Sequence, residues 1–287
     1  MERFSKISDS TSFIKQLKEE GKTIGFVPTM GALHQGHLAL MRRAKAENDV
    51  LVVSIFVNPI QFNSKSDLDK YPRVMDDDIK LLEQIRCDVL FSPSVSEMYP
   101  EPITKEYDFG ILGRVMEGAN RPGHFNGVAI VVKRLFDICI PDKAYFGEKD
   151  FQQLAIINKL VKIENMEVEI VSCPIVREND GLAMSSRNMR LNEKQRKLAP
   201  FIFETLKSAK EIAAGKNVYD IKQWVEKQFI NKKEFELEYF EISEPVELQP
   251  INNWSDAKTA MGFIVVNMGS VRLIDNIRIF NNFAVSN

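Results

Sequence analysis

Hydrophobic residues fall into two alternating rhythms along the first two-thirds of the chain. Short, nearly unbroken apolar runs at Thr23–Val27, Val50–Val57, Val89–Phe91, Ala144–Phe146 and Val168–Val176 read as buried strands. Between them, apolar positions recur every three or four residues. This spacing predicts helices from Asp9/Ser10 to about Glu20, then over His37–Asn48, Asp76–Arg86, Val128–Ile138 and Asp150–Ile163. Strands alternating with amphipathic helices predict an α/β fold, a Rossmann-like parallel sheet with flanking helices. In such sheets ligands bind beyond the carboxyl ends of the strands. After Val176 the texture changes. A polar stretch, Arg177–Asn192, leads into helices at Glu193–Ala214 and Val218–Asn231, then strands at Glu236–Ser243, Thr259–Asn267 and Val271–Ile274. That order predicts a smaller α+β C-terminal domain, so we divide the chain into 1–176 and 177–287.

Composition narrows the classes. At 287 residues, 44% hydrophobic and 27% charged, the chain has ample apolar material for packed cores. A net charge of −2, with no basic half, argues against nucleic acid as a partner. The first residues hold charges and no apolar stretch of signal-peptide length. The longest apolar run, Val50–Val57, is too short to cross a bilayer. We therefore expect a cytoplasmic protein with no membrane partner. The three cysteines, Cys87, Cys139 and Cys173, are far apart and lie in apolar segments, which suits buried free thiols better than disulfides or zinc.

Most of the candidate chemistry lies in the loops that follow the strands. Val27–Met41, VPTMGALHQGHLALM, runs from a strand end into a helix start near Gly36. Free N–H groups at a helix start attract phosphate. Gly31-x4-Gly36 imitates a Walker loop, but His37 replaces its lysine and Leu38 its Ser/Thr, so this is not a P-loop. Two of the three histidines in the chain, His34 and His37, stand here instead. Imidazoles at a helix start suit the stabilisation of charge on a departing phosphate. Zinc binding is disfavoured, because no third ligand lies nearby in sequence. Gly147-Glu148-Lys149-Asp150 is a second strand-to-helix turn on the same edge, with Lys149 as a compact cation and Asp150 as a candidate cap. Met184, Ser185, Ser186 and Arg187 supply hydroxyls and a guanidinium for a polyphosphate clamp. Gln61 is an amide suited to a hydroxy acid, Arg121 and His124 are candidates for binding a carboxylate or ordering the site, and Asp76–Asp78 suit either a helix dipole or a water-mediated Mg2+ contact.

The His34-Gln35-Gly36-His37 string resembles the HxGH signature of the nucleotidyltransferase superfamily. The longer string VPTMGALHQGH resembles the pantothenate synthetase family. Further blocks agree in order: FVNPIQF (56–62), YPRVMDDD (71–78), RPGHFNGV (121–128), FGEKDFQQ (146–153) and VRENDGLAMSSRN (176–188). Gln35, often acidic in that family, and Arg190, where an aromatic is expected, depart from its pattern. The resemblance implies ATP-dependent condensation of pantoate with beta-alanine through a pantoyl adenylate, with Mg2+ accompanying ATP, in a homodimer. It implies ATP contacts from Met30, Gly31, Ala32, Leu33, His34, Gln35, Gly36 and His37, from Gly147, Glu148, Lys149 and Asp150, and from Val176, Met184, Ser185, Ser186 and Arg187. It assigns catalysis to His34, His37 and Lys149, and pantoate or beta-alanine binding to Gln61, Gln153 and Arg121. No metal ligand is assigned. From the phosphate loop alone, a nucleotidyltransferase that leaves the nucleotide on its product, or a non-catalytic nucleotide-binding module, stays open.

Overall fold

The computed structural model describes residues 1–281. Among these, the first sheet is built from β1 (Glu2–Phe4), β2 (Ile24–Thr29), β3 (Val50–Ile55), β4 (Val89–Phe91), β5 (Lys143–Gly147) and β6 (Glu169–Cys173). All its pairings are parallel, in the order β1-β4-β3-β2-β5-β6. Its strands alternate faces with period two. Ile24, Phe26, Val50, Val52, Val89 and Phe91 pack with the helices Ile7–Glu19, His124–Cys139 and Phe151–Ile163 on one side. Val27, Leu51, Val53 and Leu90 meet Leu38, Met41 and Ala44 of the Gln35–Glu47 helix and Leu82 of the Met75–Gln84 helix on the other. Burial on both faces explains why these strands are nearly continuous apolar runs.

The chain winds outward from β2 through β3 to β4, and then resumes on the opposite side at β5. The order therefore reverses between β2 and β5, neighbours that pair at Gly25↔Lys143 and Phe26↔Ala144. The loops leaving these two strands diverge and open a crevice at the carboxyl edge.

The second sheet is antiparallel, β7 (Glu236–Ser243), β8 (Thr259–Met268) and β9 (Val271–Asn281) in that order. Ile202, Leu206, Ile221 and Val225, from the helices Phe201–Ile212 and Val218–Phe229, pack on Ile242, Ile264 and Val266. Met261 and Phe263 of β8 join the core of the first sheet instead. An ion-pair group also bridges the bodies: Arg272 of β9 holds both Glu117 and Glu238. Arg177, at the start of the second unit, pairs with buried Asp275 of β9 at 2.6 Å.

Several element boundaries differ from the sequence reading. The first helix starts at Ile7, not at an Asp9/Ser10 cap; its first N–H donates to the distant Glu97 carboxylate at 2.9 Å, and Ser10 is buried. Strand β1 was not expected, because a three-residue edge strand buries too little to leave an apolar pattern. Pro200 divides the expected Glu193–Ala214 helix into Glu193–Leu198 and Phe201–Ile212, as its missing N–H dictates. Strand β9 runs well past Ile274, since the buried polar pair Asp275 and Asn276 interrupts its hydrophobic alternation.

Candidate active site

The loop after β2 is held by its own side chains. Thr29 Oγ1 donates to the Ser54 carbonyl at 2.8 Å and accepts the Gly31 N–H at 3.1 Å. The Asp78 carboxylate accepts the N–H groups of Ala32 (2.9 Å) and Leu33 (2.7 Å). His34 is the N-cap of the Gln35–Glu47 helix: its Nδ1 accepts the Gly36 N–H at 3.2 Å, and His37 Nδ1 accepts the His34 N–H at 3.3 Å. The two rings lie with centroids 4.0 Å apart. The N–H groups of Gly31, Ala32, Leu33, His34 and Gly36 are taken inside the loop, and the His34 and His37 side chains line the cavity as its offer to an anion.

That offer is well defined. An Nδ1 that accepts a hydrogen bond carries no proton, so in a neutral imidazole the proton sits on Nε2. Both histidines are neutral near pH 7. Burial, and then the positive charge of Lys149, lower His34 to about 4. Burial, His34 and Lys149 hold His37 well below its ordinary value. Two Nε2–H donors are thus oriented before any ligand arrives. Gly36 has a local reason to be glycine: a Cβ on it would lie 2.8 Å from His34 Cε1, so it makes room for the ring.

Lys149 reaches the same crevice from across the switch point. β5 ends at Gly147, and a single 3-10 turn, Glu148–Asp150, precedes the Phe151–Ile163 helix. Asp150 occupies the N-cap position but makes no side-chain cap bond, so its expected capping role is not realised. The turn is tied to the second sheet instead: Asn276 Nδ2 donates to the carbonyls of Glu148 (2.9 Å) and Lys149 (3.0 Å).

His34, Gly36, His37, Gly147, Lys149, Asp150, Gln61, Gln153, Met30, Val176, Met184, Ser185, Ser186 and Arg187 line one cavity of about 230 Å³. Gln61 donates through Nε2 to Met30 Sδ at 3.1 Å and accepts from Asn58 Nδ2 at 3.1 Å. Asn58 is buried, accepts from Tyr99 OH at 2.8 Å and donates to the Gly127 carbonyl at 3.1 Å. Asn58 is a site residue that the sequence analysis does not single out; a polar residue directly after an apolar strand is the signal that could have found it as the support of Gln61. Arg121 lines an adjoining polar cleft of about 600 Å³, which shares Lys149, Asp150, Ser185 and Arg187 with this cavity. Arg121 meets His124 at 3.0 Å and the Gln61 carbonyl at 3.4 Å, while His124 Nδ1 meets that carbonyl at 2.7 Å. Both residues brace the backbone of Gln61.

The Val176–Arg187 segment closes the crevice from the C-terminal side. The Val176 carbonyl accepts the Met184 N–H at 3.0 Å, and Ser185 Oγ accepts the Arg187 N–H at 3.3 Å. Ser186, buried, donates to the Ala32 carbonyl at 3.0 Å. Arg187 pairs with Asp67 at 3.1 Å, alongside Arg190 at 2.6 Å. The expected clamp is therefore folded onto protein partners: Ser186 on the histidine loop, Arg187 on Asp67. Of the three expected acids, Asp78 is committed to backbone N–H groups and Asp77 pairs with exposed Lys80. Among the described residues, no group of three or more His, Cys, Asp or Glu could hold a metal by protein ligands alone.

A parallel sheet whose switch point gathers two neutral imidazoles, an ammonium and supported amides defines an α/β enzyme of the nucleotide-binding class. The sequence model described as pantoate-beta-alanine ligase matches residues 2–278, and the chain belongs to that family. Pantothenate synthetase of Porphyromonas gingivalis is 49% identical over 97% of this chain and 99% of its own length. That of Bacteroides thetaiotaomicron is 51% identical over 95% and 96%. The crystal structure of pantothenate synthetase from Thermus thermophilus superposes with a TM-score of 0.91 at 41% identity, covering 98% of this chain and 100% of that one. A Francisella tularensis pantoate-beta-alanine ligase, complexed with beta-gamma ATP and beta-alanine, gives 0.80 at 36% identity, with 97% of each covered. The chain is an ATP-dependent ligase that joins pantoate to beta-alanine. No helix among the described residues is long and apolar enough to cross a membrane.

Proposed function

We propose that the two half-reactions run in the 230 Å³ cavity through a pantoyl adenylate, with His34, His37 and Lys149 acting on the phosphates. In the first, a pantoate carboxylate oxygen attacks the α-phosphorus of ATP, and the bond to the bridging oxygen breaks. Pyrophosphate leaves with that electron pair. The Nε2–H groups of His34 and His37 and the Lys149 ammonium donate to the oxygens on which charge accumulates. Preorganised donors of this kind are each worth on the order of 3 kcal/mol. In the second, the beta-alanine amine attacks the acyl carbon, AMP departs from it, and the amine gives up a proton. Gln61, backed by Asn58 and Met30, and Gln153 hold pantoate; Arg121 supports Gln61 from behind. Gly147, beside which a Cβ would meet nothing within 4 Å, leaves room for the nucleotide. Ser185, Ser186, Arg187 and the Val176 backbone complete its phosphate and base contacts when the segment rearranges.

Mg2+ fits this donor set as a companion of ATP. It prefers phosphate oxygens and keeps several waters, so it needs no protein cage. Asp150, whose one ion pair among the described residues is with Lys149 at 3.9 Å, is the carboxylate that would face its water shell. When bound, the ion supplies charge neutralisation on the phosphates. Residues 177–287 act as a lid on 1–176 and shield the mixed anhydride from water. We further propose a cytoplasmic homodimer, on the resemblance and on the absence of membrane-spanning signals.

The observation that carries the reading is the convergence of both imidazoles, Lys149 and both glutamines on one cavity. Pantoate-dependent exchange of labelled pyrophosphate into ATP, without beta-alanine, tests it. Exchange is expected; its absence in an enzyme that still makes pantothenate would contradict a free adenylate step.

A further inference from the structure

The Met75–Gln84 helix carries three aspartates in its first turn, and they are not equivalent. Asp76 and Asp77 are exposed, whereas Asp78 is buried, with 2% of its surface exposed. A carboxylate is poorly placed under a loop unless it has partners. Asp78 has two, the successive N–H groups of Ala32 and Leu33 at 2.9 and 2.7 Å. Successive N–H groups converging on one point form an anion-binding concavity, and here the anion is supplied by the protein.

The backbone above it is unusual. Gly31 (φ 79°) and Ala32 (φ 50°) are both left-handed, a conformation costly for alanine and held only where surroundings over-determine it. Asp78 grips this turn from one side, and Ser186 Oγ donates to the Ala32 carbonyl at 3.0 Å. The turn ends at Leu33, immediately before His34, whose Nδ1 and N–H set the tautomers of both rings. Gly31 is needed at this contact, because a Cβ on it would stand 2.9 Å from Asp78 Oδ2.

We propose that Asp78 is a positioning residue for adenylate formation: by binding the Ala32 and Leu33 N–H groups it fixes the left-handed turn that aims the Nε2–H donors of His34 and His37 into the cavity. It touches no substrate. It also fills the anion concavity of the loop, so the triphosphate is directed to the imidazoles and Lys149. The inference rests on the reading of His34 and His37 given above.

The test is Asp78→Asn, which keeps the shape but sets an NH2 group against one of the two N–H donors. At saturating ATP and pantoate, well below the melting temperature, the exchange rate should fall about 100-fold, the scale of a misaligned catalytic group. Imidazole 15N spectra should change in step: both rings as Nε2–H tautomers in the wild type at pH 8, with Nδ1–H forms in the variant. Unchanged tautomers, or a lowered melting temperature with a rate within threefold of wild type, would overturn the proposal. If the variant does not fold, wild-type amide exchange decides. Ala32 and Leu33 should be protected as strongly as β2, and rapid exchange at both would overturn it. His37→Ala separates the two ideas, since retained activity there removes the imidazole reading whatever Asp78 does.

Discussion

Replacing Gly36 by alanine should cost activity without costing the fold. The new Cβ would stand 2.8 Å from His34 Cε1 and 2.9 Å from Nδ1, closer than non-bonded carbon contacts allow, while Met184 Cβ at 3.6 Å is an ordinary neighbour. The ring is the mobile partner, so it must swing away and lose the Gly36 N–H bond now at 3.2 Å. On stability, two effects oppose. Alanine is favoured over glycine in a helix by about 1 kcal/mol, and loss of an N-cap costs about 1 kcal/mol. The melting temperature should therefore stay within about 3 °C of wild type. On activity nothing offsets the loss. One displaced donor at a phosphoryl-transfer site is worth about 100- to 1000-fold in kcat. Pyrophosphate release at saturating ATP and pantoate, with a thermal melt of the same sample, reads both quantities. A kcat within threefold of wild type would refute the argument that Gly36 exists to seat the His34 ring.

Other consequences follow from the same contacts. Asn58→Ala takes from the Tyr99 hydroxyl its partner and unsupports Gln61, so urea melts should register a loss of about 1–3 kcal/mol and KM for pantoate should rise. Burial first, and then the charge of Arg121, lower His124 to about 4 from an ordinary 6.5. An unfolded chain takes up that proton first, so this stability is complete above pH 6.5 and lost as pH falls toward 4. Between pH 7.5 and 5 it amounts to about 2 kcal/mol, and His124→Asn should flatten the acid limb by that amount. Asp67→Asn releases Arg187 and Arg190 from a competing carboxylate, so KM for ATP should fall about threefold at low salt and converge with wild type at high salt; a rise would contradict the competition.

Much of the first sheet was legible because its strands are buried on both faces and its helices on one, patterns that burial writes directly into residue order. Val89–Phe91 and Glu236–Ser243 were read to the residue. What escaped was decided by partners remote in sequence. Strand β9 conceals its length because Asp275 is buried against Arg177 and Asn276 against the Lys149 turn. The first helix begins early because Glu97 caps it. The same holds in the site. His34, His37 and Lys149 could be singled out as types at strand-to-helix turns. The occupation of the loop N–H groups by Asp78 and the pairing of Arg187 with Asp67 depend on the folded arrangement, with Asp78 and Asp67 far along the chain from the groups they hold. No local spacing encodes those.

In the proposed mechanism His34, His37 and Lys149 act on the departing pyrophosphate and not on the amine. Rapid-quench single turnovers of His34→Gln, His37→Gln and Lys149→Ala address it directly, with the two half-reactions followed separately. Pantoyl-adenylate formation should slow by about 100-fold or more in each variant, while purified adenylate should react with beta-alanine at a rate within a few-fold of wild type. Equal slowing of both halves, or normal adenylate formation, would contradict it.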